Sequence, residues 1–217
     1  MNEILQIVLN SIFICLTSTT IATVFGVPLG LIMGKSTKKW VLKIRPIISS
    51  LAGLPPVLAG ITIFLLLSNA GPLGSYRLLY THTAIISAQV LIVLPLIIAS
   101  VYPLVLPIKS SFLETCYGLH ISSYKQIGYL LNELRYGILA AILIGFGRAM
   151  AEVGAVMMVG GNIRFKTRVM TTAIVLETNQ GNYKTALILG LLLLIISFSI
   201  NFIVHSVFKE VSHDPMQ

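Results

Sequence analysis

The run ILQIVLNSIFICLTSTTIATVFGVPLGLIMG, Ile4 to Gly34, holds no charged residue. A helix crosses about 30 Å of hydrocarbon with about 20 apolar residues, so this run is long enough to span a membrane. It is too long for the apolar core of a signal peptide, and Met1-Asn2-Glu3 is not a basic leader, so the run is expected to stay as a span rather than be cleaved. Four more runs follow. Pro46 to Ser68 is uncharged, and Leu78 to Ile108 carries only His82. Tyr136 to Ile163 carries only Arg148 and Glu152, and Thr185 to Phe208 only His205. The expectation is an all-α integral membrane protein, one transmembrane domain over residues 1–217 with five spans at about 4–34, 46–68, 78–108, 136–163 and 185–208.

The composition agrees. Of 217 residues, 56% are hydrophobic and 10% charged, with a mean hydropathy of +0.92; a soluble domain carries about 25% charge. Cys15 and Cys116 lie far apart in unlike contexts and suggest neither a disulfide framework nor a metal site. The net charge of +8 comes without a basic patch interleaved with aromatics, so nucleic acid is not an expected partner. The positive-inside rule accounts for the charge better. Lys35, Lys38, Lys39, Lys43, Arg45, Lys109, Lys125, Arg135 and Lys209 fall on one side of a five-span chain. Arg77, Arg164, Lys166, Arg168 and Lys184 fall on the other. That imbalance places the N-terminus outside and the C-terminus in the cytoplasm.

Within the spans, Gly26, Gly30 and Gly34 repeat every fourth residue, which either lets helix backbones approach closely or reflects the general frequency of glycine in membrane helices. Pro28, Pro55, Pro56 and Pro95 imply kinks or broken turns, with Leu54-Pro55-Pro56 the strongest site. Gly30-Leu-Ile-Met-Gly34-Lys35-Ser36 imitates a phosphate-binding loop, but has three residues between its glycines where four are needed and follows no strand. No nucleophile–base pair or metal cluster is evident, so the chain is not expected to be catalytic by itself.

Between spans three and four, SSFLETCYGLHISSYKQIG, Ser110 to Gly128, mixes polar and apolar residues at helical spacing. Ser111-Phe-Leu-Glu114 has the form of a capping box, and Ser123-Tyr-Lys-Gln126 can cap a second helix. Leu119-His120-Ile121-Ser122 breaks the two. The expectation is a cytoplasmic helical hairpin, its first helix at about 111–121. The alternative is an interfacial loop resting on lipid.

Glu114-Thr115-Cys116, with a turn six residues after the glutamate, resembles the EAA motif of ABC importer permeases. Thr115-Cys116 stands where that family has Ala-Ala, His120 where it has glycine (Gly118 comes two residues early), and Asn132-Glu133 where it has Leu-Pro. Gly53-Leu-Pro-Pro-Val-Leu-Ala-Gly60 resembles the second-span motif of oxyanion importers. Gly147-Arg-Ala-Met-Ala-Glu-Val-Gly154, Val159-Gly-Gly-Asn162 and Thr167-Arg-Val-Met-Thr-Thr172 resemble molybdate, tungstate and sulfate permeases, and AEVGAVMMVGGNI is most similar to the tungstate type. The resemblance covers roughly residues 10–205. It implies a type I importer permease in a prokaryotic inner membrane. A second copy of the chain, two cytoplasmic ATPases that use ATP and Mg, and an extracytoplasmic oxyanion-binding protein are its implied partners; the permease itself holds no cofactor. It also implies that Glu114, Thr115, Cys116, Gly118 and His120 couple to the ATPase; Pro55, Pro56, Gly60, Arg148, Glu152, Gly154, Thr171 and Thr172 are the candidate pathway or gate residues.

Arg148 and Glu152, four apart, would share one helix face. Charges at membrane depth cost a few kcal/mol and face a partner or a water-filled path. They would either neutralise each other against a neighbouring helix or line the route of a dianion. Arg164, Lys166 and Arg168 would either dock an acidic binding protein or contact headgroups. Thr171, Thr172 and Glu177 are expected in a re-entrant turn near the outer gate, and His82 and His205 as packed or interfacial histidines. Sulfate or another oxyanion is the alternative substrate. A self-sufficient secondary transporter would need an inverted repeat with paired broken helices, and a membrane enzyme would need clustered catalytic groups; the sequence displays neither.

Overall fold

Backbone amides in hydrocarbon have no water to bond, so a chain this apolar must satisfy them internally. The computed structural model does so with helices throughout, and its described residues, 3–212, contain no strand. The side chains of residue 201 and residues 203–212 are outside the described set, so the readings at His205 and Lys209 lie outside the described residues. Ten helices follow in order: α1 (Glu3–Lys35), α2 (Lys39–Ala52), α3 (Pro56–Leu67), α4 (His82–Val105), α5 (Lys109–Gly118), α6 (Ser123–Glu133), α7 (Arg135–Met150), α8 (Gly154–Gly160), α9 (Met170–Asn179) and α10 (Tyr183–Ser212).

Among the described residues three helices, α1, α4 and α10, are long and apolar enough to cross a membrane unaided. Two bent pairs join them, α2 with α3 at 97° and α6 with α7 at 76°. The expected second span, 46–68, is therefore not one rod. Pro56 takes the first position of α3 and holds Pro55 extended, at ψ 126°, which no helix tolerates. The expected fourth span, 136–163, breaks again at Ala151–Val153, between α7 and α8. Pro28 and Pro95, by contrast, sit inside unbroken helices.

The central pair is α1 against α4, and the glycine stripe is its seam. A methyl group added at Gly30 would lie 2.8 Å from Val101 Cβ, and one at Gly34 would lie 2.6 Å from Val105 Cβ and 2.8 Å from the Tyr102 carbonyl. Of the two readings of that stripe, close backbone approach is the one realised. Around this seam Leu31, Ile97, Val101, Ala141 and Phe146 form a buried core. A second core joins Ala59, Ile85, Ala155 and Val159 where α3 and α8 cross α4.

The α5–α6 hairpin forms, but not by the expected capping boxes. α5 starts two residues before Ser111, which lies inside the helix with its carbonyl accepting from Thr115 Oγ1. Neither Ile108 nor Ser122, the residues at the two helix starts, makes a side-chain cap. The turn is closed from the C-terminal end of α5 instead. Ile121 N–H donates to Cys116 O at 2.9 Å and His120 N–H to Tyr117 O at 3.2 Å. His120 sits at φ 52° in the left-handed region that this pair of hydrogen bonds requires. A side chain there costs about 1 kcal/mol that glycine avoids, so His120→Gly is expected to stabilise the chain by about 0.5–1 kcal/mol. An unchanged or lower melting temperature in detergent would contradict it.

Candidate functional site

Three polar regions lie along the bundle. The first is where the two broken spans meet. A methyl added at Gly60 on α3 would lie 2.8 Å from Ala155 Cα on α8, and one at Gly154 would lie 3.4 Å from Val57. Glu152, 3% exposed, sits in the α7–α8 break. Its Oε1 accepts the Ala155 N–H at 3.1 Å, so the carboxylate closes the first turn of α8. Its backbone carbonyl accepts from Thr171 Oγ1 at 2.9 Å. The expected Arg148–Glu152 pair does not form. Helix α7 ends at Met150, so Glu152 leaves the register that would face it toward Arg148, and among the described residues the ion pairs are those of Glu3. Thr171 and Thr172 lie buried on helix α9, which also carries Glu177, rather than in a re-entrant turn.

Beside Glu152 lies a cavity of about 10 Å³, room for about one water, lined by Ser11, Cys15, Gln89 and Thr171 among others. Gln89 fastens three helices here. Its Oε1 accepts from Ser18 at 2.7 Å, and its Nε2 donates to Ala149 O at 3.2 Å and approaches Cys15 Sγ at 3.7 Å. Sequence reading passed over Gln89; one amide inside a span, paired with the Ser18 hydroxyl, was the available signal.

The second region is the loop between α8 and α9. Arg164 Nε and Arg168 Nη1 donate to Glu3 Oε1 at 3.0 and 2.9 Å. Gln6 Nε2 donates to Phe165 O at 2.9 Å, Asn10 Nδ2 to Lys166 O at 3.3 Å, and His82 Nε2 to the same Lys166 carbonyl. His82 is thus a packed histidine, as expected, with the Phe13 ring 6.3 Å away. Two of the three loop cations share the single Glu3 carboxylate, a partner no local pattern announces, and Lys166 is exposed.

The third region is the hairpin end. Glu114, Thr115, Gly118 and His120 are exposed, while Cys116 is 2% exposed and points inward, so it cannot touch a docked partner directly. Tyr117 and Tyr124 stand 70% and 89% exposed on the same hairpin. Beneath it, α1 ends in carbonyls that need donors. Arg45 Nη2 donates to Gly34 O and Ser36 O at 3.2 and 3.3 Å, and Lys109 Nζ to Ser36 O at 2.8 Å. Burial, with the Arg45 charge adding to it, holds the Lys109 ammonium below its ordinary range. Among the described residues no group of three His, Cys, Asp or Glu side chains converges to hold a metal.

Apolar unbroken helices, two further bent apolar pairs and a polar hairpin at one end define a polytopic α-helical membrane protein. The chain is 38% identical to the tungstate uptake system permease protein TupB of Peptoclostridium acidaminophilum over 208 residues, 96% of this chain and 91% of the relative. It is 37% identical to TupB of Campylobacter jejuni over 75% of this chain and 68% of that one. It is 32% identical to a probable anion ABC transporter permease protein of Haloferax volcanii over 88% and 84%. Sulfate transport permeases match at about 25%. No protein-family model matches the chain. The chain belongs to the ABC transporter permease family of these anion permeases.

Proposed function

We propose that the chain is the membrane permease of an ATP-driven tungstate or molybdate importer. The observation that carries this is its 38% identity to a tungstate uptake permease over nearly its whole length. In this reading residues 1–217 form one permease domain with five spans: α1, the end of α2 with α3, α4, α7 with α8, and α10. It sits in a prokaryotic inner membrane with the N-terminus outside. Two copies enclose the pathway. Two cytoplasmic ATPases, which use ATP and Mg, and an extracytoplasmic oxyanion-binding protein complete the transporter; the permease holds no cofactor and does no catalysis.

Helix α5 acts as the coupling helix. Its exposed Glu114, Thr115, Gly118 and His120 meet the ATPase, while buried Cys116 holds the hairpin in shape. The breaks at Pro55–Pro56 and Ala151–Val153, with Gly60, Glu152, Gly154, Thr171 and Thr172 between them, form the gate. Arg148, half-buried and outside the Glu152 cluster, faces the passing dianion. The test is co-purification with the partner ATPase, then tungstate-dependent ATP hydrolysis in liposomes, with molybdate and sulfate in parallel. Sulfate-dependent hydrolysis without a tungstate response would favour the second reading, a sulfate permease, which rests on the more distant relatives.

Arg164, Lys166 and Arg168 form the dock for the binding protein, with Lys166 contributing most because Glu3 already pairs with both arginines. Alanine at Lys166 is expected to weaken docking two- to fivefold at low salt and to flatten its salt dependence. Wild-type docking that ignores salt between 50 and 500 mM would reject this role.

A further inference from the structure

The hairpin is covalently joined to α4 and α7, but its polar ties run to a different helix. Gln126, on the first turn of α6, is 4% exposed, and both ends of its amide are engaged. Nε2 donates to Ile121 O at 2.8 Å, inside the turn that closes α5. Oε1 accepts from Lys35 Nζ at 2.9 Å, the last residue of α1. One buried side chain thus bridges the turn of the hairpin and the end of the longest unbroken helix. Lys109 makes a parallel tie from the start of α5 to Ser36 O. A buried amide with both ends paired is costly to displace, because moving either segment alone leaves a donor or acceptor unmet.

We infer that Gln126 is a positioning residue for transport: it hands displacement of the hairpin turn to α1 through Lys35, so that α1 moves with the hairpin rather than only the covalently attached α4 and α7. This rests on the reading of the hairpin as the ATPase-coupling element. Gln126 does not touch substrate; it acts through Lys35 and the seam that α1 shares with α4.

The experiment uses the full permease assembled with its ATPase and binding protein in vesicles, with tungstate as the transported ion and molybdate in parallel. Gln126→Leu removes both bonds, and Lys35→Met removes only the one to α1. Each is expected to lower ions moved per ATP hydrolysed about tenfold, while co-purification and basal hydrolysis stay within twofold of wild type. The double variant is expected to be no worse than either single one, and Lys35→Arg to restore at least half of the ratio. A structural defect alone would lower assembly and hydrolysis together and leave the ratio intact. If Gln126→Leu does not assemble, Lys35→Met decides, because it leaves the Gln126–Ile121 bond in place. A ratio within twofold of wild type in Lys35→Met overturns the relay while leaving the coupling reading untouched. Wild-type transport without the ATPase overturns the coupling reading and the relay with it.

Discussion

Leucine in place of Gly34 is expected to destabilise the folded protein severely. The new Cβ alone would sit 2.6 Å from Val105 Cβ and 2.8 Å from a backbone carbonyl, that of Tyr102. A flexible side-chain tip could swing away, but a Cβ and a main-chain oxygen cannot. The α1–α4 seam would have to open along its length, exposing the packing of Leu31, Val101 and Val105. Overpacking of a well-filled core costs about 1–3 kcal/mol and more where backbone must shift. We expect about 2 kcal/mol for Gly34→Ala and more than about 3 kcal/mol for Gly34→Leu, a large share of the 5–15 kcal/mol that folded domains hold. Val105→Ala should not rescue either, since the Cβ it retains is the clashing atom. Gly190 on α10 has nothing within 4 Å of an added Cβ, so Gly190→Ala is the matched control and should be neutral or slightly stabilising. The check is monodispersity and melting temperature in detergent; Gly34→Leu eluting as a sharp peak that melts with wild type would refute the seam.

The second large effect is at Glu152, where two substitutions separate two roles. Glu152→Leu orphans the Ala155 N–H at the start of α8 and should cost about 1–3 kcal/mol. Glu152→Gln keeps an acceptor oxygen there and should fold and assemble normally. What it loses is the charge. In the proposed gate this carboxylate would repel an approaching dianion, and in a poorly screened setting such repulsion is worth well over 1 kcal/mol. Glu152→Gln is therefore expected to raise passive tungstate leak without ATP about tenfold or more. Because Arg148 and Glu152 do not pair, Arg148→Leu should not reproduce this leak. Vesicles loaded with tungstate and deprived of ATP give the measurement; an unchanged leak in Glu152→Gln would remove the carboxylate from the gate.

Much of the helical architecture was legible because its causes are local. Uncharged runs of span length leave the backbone no option but helix, and Leu54-Pro55-Pro56 forbids continuation whatever surrounds it. The glycine stripe was visible as a pattern, and its meaning needed Val101 and Val105 across the seam. The α7–α8 break was hidden: no proline marks Ala151–Val153, and the chain is held open there by Thr171 bonding to the Glu152 carbonyl from nineteen residues away. The capping boxes misled because serine followed by an acceptor three residues on is only a local offer, and the left-handed His120 closure won. The Glu3 pairs and the Gln89 junction are contacts between distant segments, which a pattern along the chain cannot carry.

Helix α1 is held at both extremities. Glu3, Gln6 and Asn10 grip the α8–α9 loop, while Lys35 and the carbonyls of Gly34 and Ser36 grip the hairpin and α2. A 33-residue helix is about 50 Å long, so the two grips lie on opposite faces of the bilayer. One residue added between them would advance the far grip by about 1.5 Å and swing it by about 100°, and no side-chain rearrangement could satisfy both sets of partners at once. The fold thereby fixes the length and phase of its first helix as strictly as a key fixes a shaft.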